Sequence, residues 1–353
     1  MDEKGVKKSA RLLGIATSVP PFKLEQADIM NRATRLLPGV DEGAFSRMMP
    51  IYENAGIETR YSCVPADWYE APHSWEEKNR LYLEHAVDLL EQAVLSVIDE
   101  SGIPLSDIDA VVAVSSTGIA TPSLDALIVE RLALRRNIER SPLFGLGCAG
   151  GVMGLSRAAT IARADPGKTV LLLVVEICGL TFRRSDHSKA NIVATALFGD
   201  GAAAMLLRCD VKGPAFEHGG EFSWPNSLDV MGWRVENDGL GVVFSQHIPT
   251  LTRNEFRDIA AKFLQSRELT FNDVDQFACH PGGAKVLDAL EEAFNLPTGS
   301  LVTSRSILRE YGNMSAVTVL FVLERLLKEK LAGRYLLSSL GPGFTAAFQT
   351  LIV

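Results

Sequence analysis

The chain has 353 residues, with 35 Lys and Arg against 43 Asp and Glu, so its formal net charge is −8. Hydrophobic residues make up 47% and charged residues 22%, which is ordinary for a folded protein and excludes wholesale disorder or a collagen-like repeat. At about 150 residues per domain, this length predicts about two domains or two fused halves. The acidic balance argues against a nucleic-acid-binding protein, which needs a basic face.

The five cysteines predict neither a disulfide framework nor a zinc site, because their number is odd and no CxxC pair occurs. The N-terminus has mixed charge and is interrupted by Pro20 and Pro21, so it does not resemble a signal peptide. The longest apolar stretches, such as residues 170–175, are much shorter than the roughly 20 residues that span a bilayer. We therefore expect a cytoplasmic protein with reduced thiols, no bound metal and no membrane span.

In chain order, short apolar runs predict buried strands at residues 12–16, 110–114, 170–175, 202–207 and 335–340. Longer segments between them have helical period. In residues 81–99 one face carries Leu83, Ala86, Leu89, Leu90, Ala93 and Val97. Buried strands that alternate with helices predict an α/β protein with mixed sheets and outer helices.

Two parts of the chain repeat each other at a nearly constant offset, which indicates an internal duplication. A helix, an Asp-containing turn and a strand occur around Asp107 and again around Asp273, 166 positions later. The helices that begin near Cys148 and near Asn313 are 165 positions apart, and each cited residue precedes a strand by 22 residues. The duplication would bring Cys148 and Asn313 to the N-termini of two facing helices, with His280 close to the pseudo-two-fold axis.

Cys148 is a candidate nucleophile. It lies in Gly145-Leu-Gly-Cys-Ala-Gly-Gly151, where the glycines permit a tight turn before a helix. The positive end of a helix dipole favours the thiolate, and a nearby histidine would lower the thiol pKa further. On these residues alone, an ordinary buried cysteine remains an alternative.

The same stretch matches the dinucleotide-binding pattern GxGxxG at Gly145, Gly147 and Gly150. That pattern requires an acidic residue about 20 positions further on, and Glu176 follows the next predicted strand somewhat late. A dinucleotide site is therefore a second alternative, although it leaves the cysteine and the duplication unexplained.

His280 and Asn313 are the polar candidates of the second half. Pro281 and two glycines follow His280, so they end the strand and expose the imidazole, a setting that the other five histidines lack. Asn313 follows Gly312 and fits a helix cap. That role is compatible with directing the amide at a developing oxyanion.

Together these segments resemble the type III polyketide synthases, the chalcone-synthase-like family of the thiolase-fold superfamily. The motifs are Gly147-Cys-Ala-Gly-Gly151, Leu197-Phe-Gly-Asp-Gly-Ala202, His280-Pro-Gly-Gly283, Gly312-Asn-Met-Ser315 and Gly341-Pro-Gly343. The resemblance implies a thiolase-like α/β fold with a layered αβαβα core. It divides the chain into an N-terminal half, residues 1–210, with the cysteine, and a C-terminal half, residues 211–353, with the histidine and the asparagine. It also implies a homodimer that needs no cofactor, since CoA thioesters are the substrates.

The resemblance assigns catalytic roles to Cys148, His280 and Asn313. Cys148 would accept an acyl group from a CoA thioester, and His280 would keep Cys148 as a thiolate. Asn313, together with His280, would polarise the malonyl thioester so that loss of CO₂ yields an enolate. That enolate would attack the acyl group on the cysteine.

The resemblance also implies residues of a substrate cavity. Phe198 matches an aromatic beside the nucleophile. Val242 replaces a larger gatekeeper, which would widen the passage, and Cys178 lies in a segment similar to that of bacterial enzymes that use long-chain acyl starters. The other expected cavity residues are Ser116, Thr117, Thr181, Ser315, Gly341, Pro342 and Gly343.

The contacts to CoA differ from those of plant members. Arg47 keeps one of three basic positions, whereas Pro50 and Asn54 occupy the other two. Thr121 stands where plant enzymes carry a Met that reaches the cavity of the partner subunit.

These features favour an acyltransferase that condenses a fatty acyl-CoA starter with malonyl-CoA and forms alkylpyrones or alkylresorcinols. One alternative is a condensing enzyme of the ketoacyl-carrier-protein synthase III type, which performs a single extension. Another is a thiolase-fold protein that binds acyl groups without catalysis.

Overall fold

The computed structural model describes residues 9–39 and 42–353, with side chains at all of these positions except 42 and 44–47. The strands are β1 (Ala10–Ser18), β2 (Phe22–Glu25), β3 (Thr59–Ser62), β4 (Ile108–Val114), β5 (Glu139–Leu143), β6 (Thr169–Ile177), β7 (Asp200–Arg208), β8 (Ala215–Ser223), β9 (Met231–Glu236), β10 (Gly239–Phe244), β11 (Gln276–Cys279), β12 (Arg334–Gly341) and β13 (Thr345–Ile352). The helices are α1 (Gln26–Leu36), α2 (Glu42–Glu53), α3 (Trp75–Ser101), α4 (Leu124–Arg131), α5 (Gly150–Ala164), α6 (Lys189–Leu197), α7 (Ile248–Leu251), α8 (Arg257–Gln265), α9 (Ala284–Phe294), α10 (Val302–Tyr311) and α11 (Thr318–Lys328). The five predicted strands and the helix predicted at residues 81–99 are confirmed.

Nine strands form one continuous sheet in the order β11-β12-β13-β8-β1-β7-β6-β4-β5. β4 is parallel to β5 and β6, and β11 is parallel to β12, whereas the other neighbours are antiparallel. β1 connects the two groups of strands, since it pairs with β7 over most of its length and with β8 at Ala10 and Arg11. None of the helices in the described ranges combines the length and the apolar character needed to cross a membrane.

The two groups of strands repeat one pattern, which confirms the predicted duplication. The order β4-β6-β7-β1 corresponds to β11-β12-β13-β8, with the same relative directions. Ala110 pairs with Val170, and Gln276 pairs with Tyr335. The predicted division at residue 210 falls in the turn between β7 and β8 and stays a prediction, because the sheet continues across it.

Successive residues of a strand face opposite sides of the sheet, and here they enter different cores. Leu171 and Leu173 of β6 pack with α3 in an outer core, while Val170 and Leu172 pack with α5 and α11 in an inner core. On the other side of the molecule, Leu336 of β12 packs with α8 and α9. The layers are therefore helix, the first group of strands, helix, the second group of strands and helix, which is the predicted αβαβα order, and β1 and β8 join the two strand layers.

The inner helices α5 and α11 are the pair predicted to begin near Cys148 and Asn313. Each is entered through a 3-10 turn, Gly147–Ala149 or Ser315–Val317, and these turns contact each other. A Cβ at Gly151 would lie 2.2 Å from the carbonyl oxygen of Ala316. Glycine is therefore required for the close approach that brings the two halves together at the site.

Candidate active site

Cys148 lies in the turn that leads into α5, and that turn is held from two sides. Gly147 has a φ of 47°, and its N–H donates to Ser116 Oγ at 3.1 Å. A Cβ on Gly147 would lie 2.5 Å from Pro342 Cδ, so the loop at Pro342 packs directly against the turn. Cys148 is buried, and its Sγ donates to Ser315 Oγ at 3.7 Å. The sulfur thus faces the C-terminal half.

Asn313 is buried at the entrance to α11. Its Oδ1 accepts a hydrogen bond from Ser315 N–H at 2.8 Å, but Met314 and not Asn313 holds the N-cap position of the 3-10 turn that leads into α11. Its Nδ2 donates to Gly282 O at 3.2 Å, on the segment that follows His280. The amide therefore connects the two polar segments of the C-terminal half.

His280 follows the last residue of β11. Its N–H donates to Ser338 O at 2.8 Å, which extends the pairing of β11 with β12. The side chain is 4% exposed, yet neither Nδ1 nor Nε2 has a hydrogen-bond partner among the described residues. An unsatisfied buried polar group costs about 1–3 kcal/mol, so it points to a site that a ligand completes.

Cys148, His280 and Asn313 line one cavity of about 380 Å³, although they are far apart in sequence. Apolar side chains form much of its wall, among them Val193, Leu197, Met231, Phe244, Ile248 and Phe256. Two lysines, Lys189 and Lys285, also line it, and neither is among the residues expected from the sequence. A lysine at a helix start carries no sequence signal that distinguishes a cavity from open solvent.

Burial decides the charge state of the thiol and the imidazole. It raises the pKa of Cys148 to about 12; a hydrogen bond with Ser315 opposes this shift, and the Glu176 carboxyl adds to it. Burial also lowers the pKa of His280 to about 3. Burial therefore favours a neutral thiol and a neutral imidazole in the empty cavity, against the effect of the helix N-terminus. The expected thiolate stays a prediction.

A fully buried carboxyl, Glu176, lies behind the nucleophile. Its Oε2 accepts hydrogen bonds from Ser116 N–H at 2.9 Å and from Thr117 Oγ1 at 2.8 Å. Burial raises the pKa of Glu176 to about 7. Neither Ser116 nor Thr117 lines the cavity that holds Cys148. Both were expected to contact substrate, but their hydroxyls are already engaged within the protein. The Ser116 hydroxyl accepts a hydrogen bond from Gly147 N–H in the nucleophile turn, and the Thr117 hydroxyl donates to Glu176.

The glycine pattern around Cys148 does not form a dinucleotide site. Glu176 has no exposed surface with which to contact a ribose. A Cβ on Gly150 would lie 2.8 Å from Val114 Cγ1, so this glycine serves the packing of α5 inside the protein. The dinucleotide alternative is therefore wrong.

Four side chains, which we call the gate cluster, separate Cys148 from a second pocket: Phe198, Trp233, Val242 and Phe244. Phe198 meets Trp233 and Phe244 edge to face, with ring centroids 6.1 Å and 5.7 Å apart. Val242 and Trp233 are opposite each other on β10 and β9 and so share a face. The gate cluster and Cys148 enclose a crevice of about 20 Å³. The wide passage expected from Val242 is absent here, because Trp233 fills the space.

Beyond the gate cluster lies a narrow, mostly apolar pocket. Cys178 and Thr181 line it together with Phe198, Val242 and apolar residues of α1, and polar side chains, among them Arg60, Asn191 and Thr195, also border it. Its volume is about 50 Å³, roughly the liquid volume of two water molecules. Thr181 Oγ1 donates to Cys178 O at 2.7 Å, so the hydroxyl is already satisfied and leaves an apolar wall.

The loop at Gly341-Pro342-Gly343 supports the nucleophile turn more than it lines the cavity. Pro342 borders the crevice beside Cys148. A Cβ on Gly341 would lie 2.6 Å from Ala149 Cβ, and Gly343 has a φ of 66°. The loop and the turn are therefore packed as one unit.

The expected CoA contact Arg47 lies outside the described side chains. Asn54 Nδ2 donates to Pro50 O at 2.7 Å within the same helical segment, so this amide is already engaged. None of the five cysteines, all of which lie in the described part of the chain, forms a disulfide.

Comparison with known proteins identifies the family. Residues 3–211 match the N-terminal domain of chalcone and stilbene synthases, and residues 221–352 match their C-terminal domain. The chain is 35% identical over 360 residues to 1,3,6,8-tetrahydroxynaphthalene synthase of Streptomyces peucetius subsp. caesius, which covers 98% of this chain and 94% of that protein. It is 27% identical over 351 residues to the alpha-pyrone synthesis polyketide synthase-like Pks18 of Mycobacterium tuberculosis. That alignment covers 94% of this chain and 88% of the relative.

The crystal structure of 1,3,6,8-tetrahydroxynaphthalene synthase from Streptomyces coelicolor A3(2) matches with a TM-score of 0.90 at 26% identity, covering 97% of this chain and 99% of that one. These matches confirm the thiolase-like fold and a condensing, acyl-transferring activity that uses CoA thioesters and no further cofactor. They also remove the acyl-binding protein without catalysis from the alternatives. The chain therefore belongs to the chalcone and stilbene synthase family and is a type III polyketide synthase.

Proposed function

We propose that this synthase loads a long-chain fatty acyl group from CoA onto Cys148 and extends it with malonyl-CoA to alkylpyrones or alkylresorcinols. The observation that carries the proposal is the apolar pocket beyond the gate cluster. Phe198 and Val242 line both this pocket and the crevice beside Cys148. An alkyl chain on the sulfur has a route away from water there, and each buried methylene would contribute about 0.8 kcal/mol.

The small volume of the pocket sets a requirement for loading. At about 50 Å³ it does not hold a long chain while the surrounding side chains keep their positions. We expect the gate cluster to rearrange when the acyl chain enters. Trp233 is the member best suited to move, because it is half-buried on a strand that pairs only with β10 among the described strands.

In the proposed first step, His280 acts as a base toward the thiol. Because burial favours the neutral pair, the proton passes from Sγ to the imidazole as the sulfur attacks the thioester carbonyl. The carbon–sulfur bond to CoA then breaks, and the leaving CoA thiolate takes that proton. Acylated Cys148 and a neutral His280 remain.

In the proposed second step, Asn313 and His280 stabilise an enolate. Loss of CO₂ from malonyl-CoA places negative charge on the thioester oxygen, where the Asn313 amide and the imidazole N–H can donate hydrogen bonds. The enolate carbon attacks the acyl carbonyl, and the sulfur of Cys148 leaves. Because CO₂ is lost, the new carbon–carbon bond forms irreversibly.

The relatives carry names for different products. The Mycobacterium tuberculosis relative is named for alpha-pyrone synthesis, and the Streptomyces relatives are named as tetrahydroxynaphthalene synthases. The apolar pocket at Cys178 and Val242 favours the first class for this chain.

A product assay tests the proposal. The enzyme is given labelled malonyl-CoA and acyl-CoA starters of increasing chain length, without carrier protein, and product masses are measured. We expect pyrone or resorcinol masses with long-chain starters and none with Cys148→Ala. Products of a single extension would support the ketoacyl synthase III alternative, and products from malonyl-CoA alone would contradict a fatty acyl starter.

We further propose a cytoplasmic homodimer joined at β5. This strand is at the end of the sheet, and its second edge pairs with no described strand. Phe144, directly after this strand, is 62% exposed, and Ile119, in the loop after the paired strand β4, is 44% exposed. A free edge with apolar neighbours suits pairing with a second copy. Light scattering should show a dimer for the wild type and a shift toward monomer for Phe144→Asp.

A further inference from the structure

Two lysines on separate helices line the active-site cavity. Lys189 is the first residue of α6, and Lys285 is the second residue of α9. Both are exposed, so they lie where the cavity meets solvent. Within the described ranges, neither ammonium group has an ion-pair or hydrogen-bond partner. The cavity entrance therefore carries two cations without a neutralising partner among the side chains that the structure describes.

One face of helix α6 runs along the cavity from its solvent-exposed entrance to the reacting groups. Lys189, Val193 and Leu197 all line it, and they are spaced as one helix face. At 1.5 Å per residue, Lys189 and Leu197 are about 12 Å apart along the helix. Leu197 is at the inner end, because its carbonyl oxygen accepts a hydrogen bond from Asn313 N–H at 2.8 Å. The cations and the reacting groups are thus at opposite ends.

A buried hydroxyl on the same cavity lacks a partner. Ser339 of β12 is 3% exposed and lines the cavity, and its Oγ has no hydrogen-bond partner among the described residues. Like the ring nitrogens of His280, this hydroxyl is satisfied only when something polar enters. The cavity is therefore built for an elongated ligand with polar groups along its length and negative charge at its outer end.

We propose that Lys189 and Lys285 bind the phosphate groups of the CoA thioester and that Ser339 hydrogen-bonds an amide of its pantetheine arm. The proposal rests on the CoA-thioester chemistry of the proposed function and identifies the residues that hold the carrier. CoA has its phosphates at one end and its thioester at the other, which matches the order of the cavity.

The negative net charge of the protein means that an anionic ligand such as CoA is attracted only by cations near the cavity entrance. The chain carries a formal net charge of −8, which repels an anionic substrate unless positive groups stand at the entrance. The N-terminus of α9 adds to them, since Gly283 offers no side-chain cap to its first N–H groups. Lys189 and Lys285 therefore supply charge that Pro50 and Asn54 do not.

Equilibrium binding tests the assignment. The affinity for CoA is measured by calorimetry, and that for pantetheine, which lacks the phosphates, by competition. We expect the double variant Lys189→Ala, Lys285→Ala to bind CoA about tenfold more weakly and pantetheine unchanged, since a charged hydrogen bond contributes on this order. Ser339→Ala should weaken both ligands by a similar factor. In turnover, the lysine variant should show a raised KM for malonyl-CoA with kcat nearly unchanged.

The matched control is Lys212→Ala, an exposed lysine beyond β7 at the end away from Phe198. It should bind CoA like the wild type. Equal CoA affinity in the wild type and the lysine double variant would overturn this assignment alone, as would an equal loss of pantetheine binding in that variant. A wild type that does not bind CoA would overturn the proposed function as well.

Discussion

Phe198 and Asn313 are joined through their backbones across the two halves of the chain. Asn313 N–H donates to Leu197 O at 2.8 Å, and Gly199 N–H donates to Asn313 O at 3.1 Å, which makes an isolated parallel bridge. The backbones of Phe198 and Asn313 are thus held together by hydrogen bonds that do not involve either side chain. Substitution of either side chain can therefore test its chemistry without removing this connection.

We expect His280→Ala and Asn313→Ala to abolish most decarboxylation of malonyl-CoA. The amide and the imidazole are the proposed donors to the enolate oxygen, and loss of one such donor costs about 10²–10³ in rate. Release of labelled CO₂ measures the effect. His85→Ala, on α3 and outside the cavity, serves as the control. Normal CO₂ release by both site variants would show that their roles are misassigned.

Val242→Phe should shorten the longest starter that the enzyme accepts. A phenyl ring beside Phe198 and Trp233 would fill the crevice of about 20 Å³ and close the route to the narrow pocket. The product profile over a series of acyl-CoA chain lengths measures this. Val235→Phe is the matched control, because Val235 lies on the paired strand β9 and is 67% exposed. An unchanged chain-length limit in Val242→Phe would rule out this residue as a gate.

Glu176 should make the protein less stable as the pH rises. Burial raises its pKa from 4.5 to about 7, so in this window the folded protein keeps a proton that the unfolded chain releases. The protonated Glu176 carboxyl makes its full contribution to the stability of the fold below pH 4.5, and this contribution is lost as the pH rises through about 7. A shift of this size corresponds to about 3 kcal/mol.

The variant Glu176→Gln should therefore lose less stability between about pH 5 and about pH 8 than the wild type, by about 2–3 kcal/mol. Denaturant unfolding at the two pH values measures the difference. Glu100→Gln, at an exposed position of α3, should behave like the wild type. The same pH dependence in Glu176→Gln and the wild type would mean that this carboxyl is ionised in the fold at both pH values.

Gly341→Ala should destabilise the protein and displace the nucleophile turn. The added Cβ would lie 2.6 Å from both Ala149 Cβ and the carbonyl oxygen of Leu146, so the backbone has to move. We expect a loss of about 1–3 kcal/mol in the free energy of unfolding, typical of overpacking, together with slower acylation of Cys148. At Gly167 an added Cβ would come no nearer than 4.0 Å to another group, so Gly167→Ala is the control. Equal unfolding midpoints for the two variants would contradict this view of the loop.

The architecture and the meeting of three distant residues could be predicted from the sequence, because both rest on local patterns. Apolar runs gave β4 and β6, and the offset of 165 positions between Cys148 and Asn313 indicated two equivalent helices. Equivalent helices in a duplicated unit face each other, so the cavity at their N-termini followed from the repeat alone.

Other features depend on tertiary contacts that no local pattern contains. Trp233 reaches Phe198 only because β9 pairs with β10 in one register. The raised pKa of Cys148 reflects burial by both halves, which outweighs the helix N-terminus that the sequence does show. The hydroxyl of Thr117 is taken by Glu176, 59 positions away in the chain.

The central claim is that Cys148 carries the acyl group, and the mass of the intact protein after incubation with a fatty acyl-CoA tests it most directly. The account predicts one acyl adduct on the wild type and on Cys209→Ala, a buried cysteine outside the cavity, and none on Cys148→Ala. An adduct that persists in Cys148→Ala, or a wild type that gains no mass, would contradict it.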